Sequence, residues 1–129
     1  MPSKPVRPTD SELEILTVLW SRGASTVREV YETLRRRRKS AQYATVLKFM
    51  QIMAQKGLLK RDDTDRAHVY EPAHPRELMQ QHLAGDLLQR GFDWSMTNFM
   101  IGALSARKAT RAELAELRKL LDEYEKGKR

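Results

Sequence analysis

The chain has 129 residues, no cysteine, and 24 lysines and arginines against 17 acids, giving a net charge of +7 and a pI of about 9.9. These totals exclude disulfides, thiol redox chemistry and cysteine-ligated zinc, and no apolar run approaches the roughly 20 residues of a membrane helix. The length allows one domain or two very small ones, and the surplus of positive charge argues for a polyanionic partner without bearing on the fold.

Residues 1–8 carry prolines and charges but no apolar h-region, so they read as a flexible leader and not as a secretory signal, and the lack of cysteine makes the cytoplasm the default location. Thr9-Asp10-Ser11-Glu12 has the spacing of a capping box, in which a hydroxyl and a carboxylate satisfy each other's backbone N–H groups. Leu13, Leu16, Leu19 and Trp20 follow at helical spacing, and Gly23 stops the helix. Thr26-Val27-Arg28-Glu29 is a second capping box, opening a helix with Val27, Val30, Tyr31 and Leu34 on one face. That helix runs into Arg35-Arg36-Arg37-Arg38-Lys39, where the macrodipole favours cations.

Ser40 is expected to open a third helix ending near Lys56, with Val46, Phe49, Met50 and Met53 as its apolar stripe and Gly57 as a left-handed cap. Leu58 to Arg61, then Asp62 to Arg66, then Ala67 to Tyr70 reads as strand, polar turn, strand. The fold expected is therefore mainly α with a small β-hairpin wing. An N-terminal winged helix-turn-helix domain covers residues 9–74 and a C-terminal helical dimerisation module covers 75–129.

In the second part, Pro75 occupies a plausible first helical position, and Leu78, Met79, Leu83, Leu87 and Leu88 carry the helix to Gly91. Trp94 to Ala106 is the longest uncharged window of the chain, and within it Met96, Phe99, Met100 and Ala103 fall at i, i+3, i+4 and i+7. A third capping box, Thr110 to Glu113, leads into Leu114, Leu117, Leu121 and Tyr124. Three short amphipathic helices spanning about 55 residues are too small to bury their own apolar faces. Pairing with a second copy is the expected remedy, with those eight side chains as the interface.

In a helix-turn-helix the N-terminal part of the second helix reaches the base edges of a duplex. Placing Val46, Met50 and Met53 against the core turns Ala41, Ala44, Lys48, Gln51 and Gln55 outward, flanked by Thr45 and Ile52. The base-reading candidates are then Gln42, Ala44, Thr45 and Lys48: an amide for adenine, a small side chain beside a thymine methyl, and donors to base acceptors. No acid lies between Ser40 and Lys60, where one would repel phosphate. Backbone-contact candidates are Arg35, Arg36, Arg37, Arg38, Lys39, Tyr43 and Gln51, with Lys60, Arg61, Arg66 and His68 on the wing; Asp62, Asp63 and Asp65 in the wing turn argue against deep insertion. His68, His74 and His82 lack metal-ligand spacing, and no phosphate loop, nucleophile elbow or paired carboxylate occurs, so neither a metal, a cofactor nor an enzymatic site is expected.

Tyr43-Ala44-Thr45-Val46-Leu47, Met53-Ala54-Gln55-Lys56-Gly57-Leu58-Leu59 and Arg66-Ala67-His68-Val69-Tyr70, after an opening Thr9 to Leu16 that closes on Leu19-Trp20, resemble the BlaI/MecI/CopY penicillinase-repressor family over residues 9 to about 124. The resemblance implies a homodimeric winged-helix repressor on a palindromic double-stranded operator. It also implies release by a membrane sensor metalloprotease that cuts at Asn98-Phe99 inside the dimer helices. The missing cysteines depart from the copper-responsive branch. The residues alone leave two rivals open: a winged-helix regulator released by a small-molecule ligand, and a protein-interaction module that uses the same fold.

Overall fold

A computed structural model describes residues 6–127, so most of the expected leader lies outside the described residues. The chain falls into two compact units, one reaching Ala84 and the other starting at Gly85. In the first, α1 (Asp10–Arg22), β1 (Ser25–Thr26), α2 (Val27–Arg37) and α3 (Tyr43–Gln55) precede β2 (Leu59–Asp62) and β3 (Val69–Pro72). Helix α4 (Arg76–Phe92) begins in this unit and continues into the second, which adds α5 (Met96–Ala106) and α6 (Arg111–Glu125).

All three capping boxes form. Thr9, Thr26 and Thr110 accept from the backbone N–H of Glu12, Glu29 and Glu113, and each carboxylate returns a bond to the threonine N–H. At the far end of α3 the chain closes a Schellman motif: Gly57 N–H donates to Ala54 O at 3.2 Å and Leu58 N–H to Met53 O at 2.9 Å. A φ of +84° at Gly57 is what demands glycine there, since a Cβ would meet nothing within 4 Å.

The core of the first unit is one apolar cluster. Ile15, Leu16, Val18 and Leu19 of α1 meet Val27, Val30 and Leu34 of α2 and Val46, Met50 and Met53 of α3, with Leu58, Leu59, Tyr70 and Met79 closing it. Two expectations needed correction. Ser40 does not open α3. The chain turns through Arg38–Ala41, with Ala41 N–H on Arg38 O at 3.1 Å, and the helix starts at Tyr43 with Gln42 as an N-cap that makes no side-chain cap bond. The physical reason is visible in the spacing: three residues after Ser40 stands Tyr43, which cannot return the carboxylate bond of a capping box. The hairpin is also part of a larger sheet. Ser25–Thr26, which the sequence did not mark as a strand, pairs antiparallel with β3, and the strand order is β1-β3-β2. Two residues are too few to show a period of two, so only pairing reveals them.

One buried charge joins the ends of α1 and α3. The Glu12 side chain is 4% exposed, and its two oxygens accept from Lys56 Nζ at 2.8 and 2.9 Å while one also takes the Thr9 N–H at 3.0 Å. Burial works against its charge, but the Lys56 ammonium and the Thr9 N–H outweigh it and hold the carboxyl below its ordinary value.

In the second unit, α4 turns into α5 through Asp93 (φ 47°) and Trp94 (φ 66°), both left-handed and neither a glycine. Such a conformation costs roughly 1–2 kcal/mol at a residue like tryptophan. Trp94 N–H on Leu88 O and Ser95 N–H on Phe92 O hold it in place. Phe92 then stacks on Phe99 with ring centroids 5.1 Å apart, and Gly102 leaves room for the Phe92 ring, which a Cβ would approach to 3.2 Å. Arg107 and, after it, the Thr110 N–H pull the Glu113 carboxyl down to about 2, fixing the α5–α6 connection. No residue of α5 or α6 is buried; Met96 (68%), Leu121 (64%) and Tyr124 (71%) lie open.

Replacing Glu12 by Gln is expected to lower unfolding free energy by about 1–3 kcal/mol near neutral pH, because a buried charge pair loses one partner. A depressed carboxyl contributes stability above its unfolded pKa of about 4.3, and that contribution disappears as pH falls through the folded value. Urea unfolding at several pH values should therefore show the Glu12→Gln variant losing less stability than the parent on acidification below about pH 4.5.

Candidate nucleic-acid interface

With Val46, Met50 and Met53 held in the core, the opposite side of α3 is fixed: Ala44, Thr45, Lys48, Gln51 and Gln55 are exposed and Ile52 is half-buried at the flank. Gln42 is exposed too, but from the N-cap and in extended backbone, so it precedes the helical face instead of belonging to it. The absence of acids is wider than one helix. From Thr33 to Arg61, across the turn and all of α3, there is none.

Tyr43, the first residue of α3, is 37% exposed and clamped from two directions. The Arg28 guanidinium sits 4.7 Å from its ring centroid and Tyr31 meets it edge-on at 5.6 Å. Arg28 was not among the residues expected from the sequence. Its i, i+3 spacing to Tyr31 puts both on one face of α2, but nothing local says that the start of α3 would pack there.

The cation cluster lies at the end of α2. Arg35, Arg36 and Arg37 form its last turn, Arg38 is the C-cap and Lys39 follows; all are exposed. Arg38 is drawn back by Glu14 of α1, with Nη2 3.1 Å from Oε1, and the other four have no carboxylate partner among the described residues. On the wing the cations divide in the same way. Lys60 and Arg66 are exposed without an ion pair among the described residues. Arg61 Nε lies 2.8 Å from Asp63 Oδ1, and His68 Nδ1 donates to the same oxygen. The three wing-turn acids therefore differ in their work. Asp62 closes the turn by accepting from the Thr64 N–H and hydroxyl, Asp63 holds Arg61 and His68, and Asp65 has no partner among the described residues.

The family model for the penicillinase repressor matches residues 8–123, nearly the whole chain. The chain belongs to the penicillinase repressor family. Transcriptional regulator BlaI of Mycobacterium tuberculosis (strain CDC 1551 / Oshkosh) is 37% identical over 123 residues, covering 89% of this chain and 88% of that one. Among solved structures, the DNA-binding domain of the repressor BlaI is similar over 60% of this chain and 93% of its own, at 24% identity and a TM-score of 0.50. The same values describe the monomeric form of Bacillus licheniformis BlaI in complex with the blaP half-operator. Those two likenesses establish the fold of the first unit, a winged helix-turn-helix. Membership in the penicillinase repressor family makes the protein a transcriptional repressor and not an enzyme.

The bond singled out by that family resemblance, Asn98-Phe99, sits in the first turn of α5. Ser95 is the N-cap: its Oγ accepts from Asn98 N–H at 3.1 Å and its carbonyl from Phe99 N–H at 3.0 Å. Asn98 is exposed and Phe99 half-buried against Phe92. Of the other expected interface residues, Met96, Met100, Ala103, Leu121 and Tyr124 are exposed, and Leu114 and Leu117 are half-buried.

Changing Ser95 to Ala removes the cap and is expected to cost the α5 helix about 1 kcal/mol. Hydrogen exchange should then quicken at Asn98 and Phe99, by roughly fivefold at that cost, with amides in α1–α3 unchanged.

Proposed function

We propose that the protein is a homodimeric, cytoplasmic repressor that binds a palindromic duplex operator through α3 and is released by proteolysis at Asn98-Phe99. The observation that carries the DNA reading is the exposed, acid-free face of α3 between an arginine cluster and a basic wing. Gln42, Ala44, Thr45 and Lys48 are the base-reading residues. Arg35, Arg36, Arg37 and Lys39, with Tyr43, Gln51, Lys60 and Arg66, contact the phosphates, and Arg38, Arg61 and His68 join them from their ion pairs. The Bacillus licheniformis BlaI monomer bound to a half-operator supports this assignment, in which one protomer takes one half-site.

The dimer reading is supported by α5 and α6, in which no side chain is buried while Met96, Met100, Leu121 and Tyr124 are exposed. A second copy covering the same faces is the simplest closed arrangement that removes this area from water. Proteolytic release follows from the position of the proposed cut. Breaking Asn98-Phe99 would detach most of α5 and all of α6 from the DNA-binding unit, and two half-site contacts would lose their linkage. A protease takes an extended substrate, so the first turn of α5 must open before a membrane sensor metalloprotease can cut it.

Lys48→Ala is expected to weaken operator binding by about 10- to 100-fold and to relax sequence preference, whereas Arg36→Ala should weaken operator and random duplex equally and reduce the salt slope by about one. Mobility shifts across a salt series separate the two, and an equal loss on both duplexes for Lys48→Ala would remove it from the reading role. Sedimentation at micromolar concentration should give a dimer, and Leu121→Asp should shift it to monomer while leaving the melting of the first unit in place.

A further inference from the structure

The two paired wing cations do not point away from the proposed interface. Arg61 and His68 line a groove with Thr26 and Arg28 at the start of α2 and with Tyr43 and Gln51 on the outer side of α3. Any anion entering between the wing and α3 meets Arg28, Arg61 and His68 together. In the free protein that role is already filled, because a single oxygen, Asp63 Oδ1, receives Arg61 Nε at 2.8 Å and the His68 Nδ1–H. Arg61 stands opposite Tyr70 in the antiparallel register of β2 and β3, which places it at the groove. All three side chains are about half-exposed, so the contacts are exchangeable and not locked in a core.

We propose that Asp63 is a built-in stand-in for a nucleic-acid phosphate: it holds Arg61 and His68 in the free protein and is displaced from them when a backbone phosphate of the duplex enters the groove between the wing and α3. The inference rests on the DNA-binding reading above and adds a restraint to it. Each protomer must break both contacts to Asp63 before the wing grips the backbone, so Asp63 lowers affinity for every duplex and leaves sequence preference alone. The neighbouring acids do not share this role. Asp62 is spent on the turn through Thr64, and Asp65 has no partner among the described residues.

The test compares Asp63→Asn with Asp65→Asn in the full-length protein, since both remove one negative charge from the same turn. Binding to operator and to random duplex is measured at several salt concentrations. Asp63→Asn is expected to tighten both duplexes by the same factor, about three- to tenfold, from the release of the exposed Arg61 ion pair and the His68 hydrogen bond. Asp65→Asn should give clearly less, and adding Arg61→Ala and His68→Ala to Asp63→Asn should abolish the gain. Equal gains at the two aspartates would reduce the effect to bulk charge and overturn the proposal. So would a loss of affinity in Asp63→Asn with an unchanged melting temperature, which would mean that Asp63 aims the cations instead of occupying them. Failure of the parent protein to bind any duplex sinks the functional reading itself, whereas parental binding with an indifferent Asp63→Asn sinks only this inference.

Discussion

Burial of Val46, Met50 and Met53 along one side of α3 is the constraint on which the rest of the first unit depends. These side chains lock the helix against α1 and α2, and because α-helical geometry repeats every 3.6 residues, that anchorage decides which residues can face outward. Ala44, Thr45, Lys48 and Gln51 are presented because their neighbours are not free to turn. The Glu12–Lys56 pair and the Schellman turn at Gly57 then define where the helix ends, and both hold its C-terminal end.

Charge is distributed around that face by similar economy. Acids are absent from Thr33 to Arg61, and several acids nearby are engaged in specific bonds: Glu14 with Arg38, Asp62 with Thr64, Asp63 with Arg61 and His68. Two of the three wing-turn acids, Asp62 and Asp63, thus have structural and electrostatic assignments, and the basic surface is a mixture of free and engaged cations. A simple count of lysines and arginines would overstate the charge available to a polyanion.

The second unit works by different physics. Its helices are well capped and tightly linked, with the Phe92–Phe99 stack at one connection and the Arg107–Glu113 pair at the other, yet their apolar stripes stay open. Local order without buried area is the condition of a module completed by a partner. The left-handed Asp93 and Trp94 put backbone strain immediately before the bond proposed for cleavage, in a helix with no core of its own to hold it shut.

Much of this was legible in the sequence, because it rests on short-range rules. The threonine–glutamate spacings specified three helix starts, the i, i+3, i+4 stripes specified which faces of α2 and α3 would be buried but missed Ile15 and Val18 on α1, and the left-handed requirement at Gly57 marked the end of α3. The family resemblance was legible for the same reason, since its motifs are contiguous. What only the tertiary structure decided are pairings between residues distant in the chain or too few to make a pattern. The two-residue β1 is a strand only because β3 lies beside it. Lys56 meets a carboxylate 44 residues earlier, and Arg28 covers Tyr43 only because α2 and α3 cross there. Hydrogen bonds within one turn of chain are encoded locally, whereas a charge finds its partner only after the core has brought the elements together; that is why the wing's cations could be named from sequence but their common hold on Asp63 could not.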